Sequence, residues 1–64
     1  MKLILPDRSV LILSGEPATV EAVLEMEGTN PLEVMVMRDG KLLTEDTLVG
    51  GDDEIRVIRI SHGG

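Results

Sequence analysis

The sequence predicts a small α+β domain in which one mixed sheet, with elements in the order β-β-α-β-β-β, packs on a single helix. Apolar runs of strand length recur along the chain, one segment has the apolar spacing of a helix, and an Asp-Gly pair joins two of the strand-like runs. With 64 residues, the chain is long enough for one domain. We expect that domain at residues 1–60, followed by a flexible C-terminal tail at residues 61–64.

Two strands are expected at the start of the chain, at residues 1–5 and 10–13, where aliphatic side chains dominate. The four residues between them, "PDRS", are typical of a turn, because proline fixes φ and Asp and Ser can bond the nearby backbone. A connection this short favours an antiparallel hairpin. Residues 14–17, "SGEP", then end the second strand.

The helix is expected to begin after Thr19, because a threonine hydroxyl can accept a hydrogen bond from an early helical N–H. Val20, Val23 and Leu24 recur at the spacing of one helix face. Gly28 is the expected C-terminal stop. A helix of about 8–9 residues is too short to be stable alone, so we expect it to lie on the sheet.

A third strand is expected at residues 33–38, after a turn at residues 29–31. The Asp39-Gly40 pair that follows is a strong hairpin signal, because both central residues of a type I′ turn need a positive φ. Residues 41–43 are then a short return strand.

The remaining chain is predicted to form a polar loop over residues 44–54, anchored by Leu48 and Val49, and a last strand over residues 55–60. In this order of elements the first and last strands can pair in parallel at the centre of the sheet. That position explains their apolar content, since parallel strands are covered on their faces.

Composition excludes several classes of function. A net charge of −6 repels phosphate backbones and makes nucleic acid an unexpected partner. The absence of cysteine excludes disulfides, zinc ribbons, iron–sulfur clusters and thiol catalysis. With no signal peptide and no apolar run near the ~20 residues of a membrane helix, we expect a cytoplasmic protein that does not bind membranes.

Catalytic and metal-binding sets are also absent from the sequence. His62 has only Ser61 beside it, and a triad needs partners from separate elements. The acidic run at residues 52–54 lacks the spacing of a calcium loop and is predicted to be a solvated turn. Residues 50–51 are followed by no Gly-Lys-Ser/Thr, so they are not a phosphate loop. We therefore expect no catalytic residue, no metal and no bound cofactor, and a partner that performs the catalysis.

The C-terminal Gly63-Gly64 pair is the remaining chemical feature. Extended, the tail reaches roughly 13 Å beyond the sheet. Glycine has no Cβ, so such a tail can enter a narrow channel and place its carboxylate in another protein's active site. Taken alone, the pair is equally compatible with a frayed chain end.

Four short stretches carry a resemblance to a known family. They are Thr19-Val20 after Glu16-Pro17, Asp39-Gly40 before Lys41-Leu42-Leu43, Gly51-Asp52 before the last strand, and Gly63-Gly64. At these spacings the chain resembles the ubiquitin-like β-grasp family. It is closest to the small sulfur carriers of the ThiS/MoaD type and to their archaeal ubiquitin-like relatives.

The resemblance implies a function for the C-terminus. An E1-like adenylating enzyme would use ATP to adenylate the Gly64 carboxylate. A sulfur donor, either a cysteine desulfurase or a rhodanese-like protein, would then convert it to a thiocarboxylate. A sulfur-accepting synthase would take the sulfur for thiamine, molybdopterin, tRNA thiolation or cysteine synthesis. The carrier itself would bind no cofactor and would be a monomer when alone.

Two other functions stay open. The protein could be a ubiquitin-like modifier joined through Gly64 to lysines of target proteins. It could also be a non-reactive β-grasp interaction module, for which the C-terminal pair would be dispensable. In either case residues Ser61 and His62 have no assigned role.

Strand alternation predicts which sheet face a partner would contact. Met35, Met37, Arg56 and Ile58 are expected on the face away from the helix, where an apolar patch would be a docking site. A register slip of one residue would invert this assignment. Acidic groups elsewhere are expected to steer the protein towards basic enzymes. The residues expected to face the helix are Leu3, Leu5, Leu11, Leu13, Val34, Val36, Ile55 and Val57.

Overall fold

The computed structural model describes residues 1–60 and confirms the α+β class. The α-helix, Val20–Met26, is far shorter than a bilayer crossing requires, and no other α-helix occurs among these residues. The elements are β1 (Lys2–Ile4), β2 (Val10–Ile12), β3 (Ala18–Thr19), α1 (Val20–Met26), a 3-10 turn (Pro31–Glu33), β4 (Val34–Arg38), β5 (Lys41–Leu42), β6 (Leu48–Val49) and β7 (Glu54–Arg59).

The main sheet has five strands in the order β2-β1-β7-β4-β5. The last strand, β7, lies at its centre, parallel to β1 and antiparallel to β4. Leu3 is opposite Ile55 in the parallel pair, so the predicted pairing of the first and last strands is confirmed. With the helix on one face, this is the ubiquitin-like β-grasp arrangement.

Both predicted ends of the helix are confirmed. The Thr19 hydroxyl accepts a hydrogen bond from the Ala22 N–H at 3.1 Å, which satisfies a backbone donor that has no helical partner. Gly28 follows the helix with a φ of +69°, and the N–H of Thr29 donates to the Leu24 carbonyl at 2.9 Å. This is a Schellman ending, which favours glycine because of the positive φ.

The Asp39-Gly40 hairpin also forms as predicted. The two residues have φ angles of +53° and +76°, as a type I′ turn requires. The turn between β1 and β2 contains the expected bond from a side chain to the backbone: the Ser9 N–H donates to the Asp7 carboxylate at 2.9 Å. Between Asp7 and Ser9, Arg8 has a φ of +72°, a left-handed conformation that the sequence did not indicate.

A second, two-stranded sheet lies outside the sequence prediction. Strands β3 and β6 pair antiparallel, with Ala18 opposite Val49 and Thr19 opposite Leu48. The expectation of a loop throughout residues 44–54 was therefore wrong. Two-residue strands are too short to show alternation, and their partners lie about thirty positions apart in the chain. Of the two residues predicted to anchor this region, Val49 is buried, as expected, whereas Leu48 is 62% exposed, so that part of the prediction was wrong.

The start of β4 differs from the prediction as well. Residue 33 belongs to the 3-10 turn and not to the strand. The Asn30 carboxamide oxygen accepts a hydrogen bond from the Leu32 N–H at 3.0 Å, and Pro31 lies at the first position of the turn. An Asn cap followed by Pro is a helix-starting signal. The sequence reasoning overlooked it because the residues that follow favour a strand.

The core lies between the helix and the sheet and is wholly aliphatic. Val34 and Val36 of β4 face the helix together with Ile55 and Val57 of β7, as the alternation predicted. Three other residues predicted to face inward, Leu5, Leu11 and Leu13, are partly buried against this core. The buried residues are Leu3, Val20, Val23, Leu24, Val34, Val36, Val49, Ile55 and Val57.

Candidate docking face and reactive terminus

The four predicted docking residues lie on the sheet face away from the helix. Strands β4 and β7 place Met35 opposite Ile58 and Met37 opposite Arg56, and directly opposed residues project from the same face. Met35 is 40% exposed and Arg56 is exposed, whereas Met37 and Ile58 are half-buried. Their common location is therefore as expected, and their use in docking stays a prediction.

The same face extends further than the sequence reasoning proposed. In the neighbouring strands Ile4 is opposite both Val10 and Arg56, and Leu42 is opposite Met37. The alternation that places Leu3 inside places Ile4 outside, so the signal was present in the sequence. We call this set the open face: Ile4, Val10, Ile12, Met35, Met37, Leu42, Arg56 and Ile58.

Charges are unevenly distributed between the two sides of the molecule. On the open side, Lys2 and Glu54 form an ion pair at 3.4 Å, and Arg56 makes no ion pair within residues 1–60. The helix side carries Glu21 and Glu25, both exposed. The acidic residues that give the net charge of −6 are therefore not concentrated on the open face. That face is apolar and includes the Arg56 guanidinium, which is available to a partner. Acidic steering would act from the other side of the domain.

The acidic turn before β7 is more ordered than a solvated turn. The Asp53 carboxylate accepts hydrogen bonds from the Gly50 N–H and from the Arg38 guanidinium, both at 3.0 Å. The Gly50 bond, with Arg38 beside it, holds the pKa of the Asp53 carboxyl below its ordinary value. Arg38 also donates to the Leu48 carbonyl at 3.3 Å. The prediction of a solvated turn was wrong for Asp53, which ties the loop to β4 and fixes the start of β7.

Metal ligation finds no support in these acids. Within residues 1–60, no three His, Cys, Asp or Glu side chains are grouped so that they could hold a metal ion.

A second acidic feature lies at the start of the helix, where residues 44–47 pack against it. The Glu21 N–H donates to the Glu45 carbonyl and the Val20 N–H donates to the Thr47 carbonyl, both at 3.0 Å. These backbone bonds bring the Glu21 and Glu45 carboxyls together. The Glu21 side chain raises the pKa of the Glu45 carboxyl, because the protonated form can share a hydrogen bond with it.

Replacing Glu45 with glutamine is expected to raise the melting temperature at pH 7. A raised pKa in the folded state means that stability is greatest when Glu45 is protonated and falls as the pH rises through the folded pKa. The Glu45→Gln advantage should therefore shrink as the pH is lowered towards 4. Glu25→Gln is the matched control, because it removes the same charge from the exposed surface of the helix. Calorimetry is the appropriate measurement, since the chain has no Trp or Tyr to report unfolding by fluorescence. An equal effect of both substitutions would contradict the pairing.

The chain leaves the sheet next to the open face. The N–H of Ile60 donates to the Glu33 carbonyl at 2.9 Å, so the chain is held to the domain up to that residue. The predicted tail residues Ser61, His62, Gly63 and Gly64 lie outside the described residues, and their roles stay predictions.

The fold and the open face define a small ubiquitin-like protein of the β-grasp class, in which a domain with one helix presents a sheet face and a C-terminal strand end. The chain belongs to the small archaeal modifier protein 2 family, whose sequence profile matches residues 6–61. The match ends before Gly63 and Gly64. A comparison with curated proteins found no match.

Proposed function

We propose that this protein is a carrier whose Gly64 carboxylate is activated by an E1-like enzyme and then converted to a thiocarboxylate that donates sulfur. The observation that carries the proposal is the continuity between the open face and the tail. Arg56 and Ile58 lie on β7, and the same strand leads through Ile60 into residues 61–64. A partner seated on the open face would therefore have the C-terminal residues within reach of its own active site.

Activation is needed because a free carboxylate is a poor electrophile. An oxygen of the Gly64 carboxylate attacks the α-phosphorus of ATP, the bond to the bridging oxygen breaks, and pyrophosphate leaves. The product is an acyl-adenylate. The enzyme must neutralise the charge that develops on the phosphate, and ATP binds to the enzyme rather than to this chain.

Sulfur transfer completes the reaction. Sulfide attacks the carbonyl carbon of the adenylate, AMP leaves with the carbon–oxygen electron pair, and a thiocarboxylate remains. A persulfide on a cysteine desulfurase or rhodanese-like donor serves equally, provided that a thiol then reduces the resulting acyl disulfide. The thiocarboxylate sulfur attacks an acceptor substrate held by a synthase, which gives a thioester. Water then hydrolyses the bond between the carbonyl carbon and the sulfur, so that the sulfur stays on the acceptor and the carboxylate is restored. The proposal includes a cytoplasmic location, where ATP and the donor enzymes would be present.

Conjugation to proteins is the second candidate, and the description of the family as a modifier favours it. It shares the adenylate and differs in the nucleophile. A lysine amine of the target attacks the activated carbonyl of Gly64, AMP or an intermediate thiol leaves, and an isopeptide bond forms. A non-reactive interaction module remains the third candidate, and it requires no chemistry at Gly64.

A carboxylate introduced on the open face is expected to lower the rate of adenylation. Arg56→Glu and Met35→Glu each place a carboxylate where a partner would exclude water, which we expect to reduce kcat/KM for ATP–pyrophosphate exchange by roughly tenfold or more. The assay uses the cognate E1-like enzyme. Leu32→Glu is the matched control, because Leu32 is 76% exposed on the 3-10 turn, outside the open face. Unchanged exchange with both open-face variants, at unchanged melting temperature, would exclude docking at this face.

A further inference from the structure

A groove of about 480 Å³ lies at the end of the domain opposite to Ile60. The helix residues Val23 and Met26 form one wall, Val49 lies at the base, and the chain after β2 forms the other wall, from Leu13 to Glu16. Val23 and Val49 are buried, so the base of the groove is the surface of the core itself.

Met26 is the exposed apolar part of this groove. Its side chain is 70% exposed although it lies beside buried aliphatic residues, and methionine adapts its shape to a bound side chain. Exposed single apolar residues are common, but here the exposed residue borders a concave apolar surface. An aliphatic side chain of a partner would bury that surface together with Met26.

The rim of the groove is acidic and offers free backbone groups. Glu16 and Asp52 line it, and both are exposed. The Met1 ammonium also lines it and donates to the Leu13 carbonyl at 2.7 Å, so the two carboxylates leave the rim with a net negative charge. Within residues 1–60, the backbone of Ser14, Gly15 and Glu16 makes no backbone–backbone hydrogen bond outside regular elements. Free N–H and C=O groups along one wall suit an extended peptide, which carries the complementary groups.

We propose that this groove binds an extended peptide segment of a partner protein, in which an aliphatic side chain inserts beside Met26 and a following Lys or Arg lies against Glu16 and Asp52. The opposite charge of the rim favours a basic segment. The proposal does not depend on the chemistry at Gly64.

The position of the groove permits two partners at once. Asp52 precedes β7 and Ile60 follows it, so the length of that strand, roughly 20 Å, separates the groove from the point where the tail begins. The groove residues named here are also absent from the open face. A protein held by the groove therefore leaves both the open face and the C-terminus accessible.

Amide chemical shifts of the ¹⁵N-labelled full chain test this proposal. The probe is the capped peptide acetyl-Gly-Leu-Lys-Arg-Gly-amide, and its counterpart carries Glu-Glu in place of Lys-Arg. The basic peptide is expected to move the amide signals of Met26, Val49 and Gly50 at millimolar concentration. The acidic peptide should bind roughly tenfold more weakly, and added salt should weaken the basic peptide only.

Two substitutions separate the apolar and charged parts of the site. Met26→Ser is expected to lower the affinity for the basic peptide roughly tenfold, whereas Leu32→Ser, at an equally exposed residue outside the groove, leaves it unchanged. Asp52→Asn should reduce the difference between the two peptides. No shift with either peptide, equal binding of both, or shifts confined to the open face would overturn the proposal. Deleting Gly63 and Gly64 should not change peptide binding, so failure of the proposed function would be seen separately.

Discussion

Removal of Gly63 and Gly64 is expected to abolish formation of the acyl-adenylate and of every product derived from it. The reacting carboxylate would then belong to His62, two residues closer to the sheet and carried by a residue with a Cβ. The chain would be shorter by roughly 7 Å when extended, too short to place the new carboxylate at the same phosphate. ATP–pyrophosphate exchange with the E1-like enzyme measures this step directly.

The deletion should leave the domain intact, because the described core lies entirely within residues 1–60. Its melting temperature is expected to match that of the full chain. Gly63→Val is the second variant, since it keeps the length and adds a β-branched side chain that a narrow channel excludes. Full pyrophosphate exchange with the deleted chain would show that adenylation does not need Gly63 and Gly64 and would contradict the Gly64 chemistry. No exchange with the full chain would support the non-reactive module.

Replacing Ile55 with alanine is expected to destabilise the domain by about 2–5 kcal/mol. Ile55 is 2% exposed on the central strand, where it is opposite Leu3 and helps to cover the helix. A domain of this size rarely has more than about 3–5 kcal/mol from its core. The expected loss is therefore comparable to the whole free energy of unfolding, and we expect the Ile55→Ala variant to be largely unfolded at 37 °C.

The matched control is Ile12→Ala, because Ile12 is 75% exposed on the edge strand β2. An exposed substitution of this kind usually changes the free energy of unfolding by about 0.5 kcal/mol or less. Urea unfolding followed by circular dichroism gives both values. Similar losses for the two substitutions would contradict the assignment of Ile55 to the core and Ile12 to the outside.

Local signals in the sequence were sufficient for most of the fold. The Thr19 hydroxyl, the positive φ at Gly28 and the Asp39-Gly40 turn depend on residues within a few positions of each other. Alternation along β4 and β7 was sufficient for the two sheet faces, because strands of five and six residues show their period clearly.

Other features depend on distant pairs and were not predictable from local signals, although the order of elements did indicate the pairing of β1 with β7. The pairing of β3 with β6 joins strands of two residues each, which carry no pattern of their own. The bonds from Arg38 to Asp53 and Leu48 need the β4–β7 register before they can be inferred. The acidic turn was therefore taken as solvated although its central carboxylate is bonded.

The candidate site was predictable in part for the same reasons. Met35, Met37, Arg56 and Ile58 follow from alternation on two strands, whereas the contribution of Val10 and Leu42 follows from pairing with β1 and β4. The different charge of the open face and the helix side can be inferred only from the tertiary fold, since the amino-acid composition determines only the net charge of the chain.

The central claim, activation of the Gly64 carboxylate, is tested most directly by the intact mass of the purified protein after incubation with the cognate E1-like enzyme, ATP and sulfide. The sulfur-carrier proposal predicts a free protein whose mass has risen by the exchange of one oxygen for one sulfur, with no change in the chain that lacks Gly63 and Gly64. Larger species joined through Gly64 to lysines would instead identify conjugation as the function. An unchanged mass, in a reaction where the enzyme forms no adenylate with this protein, would contradict the claim.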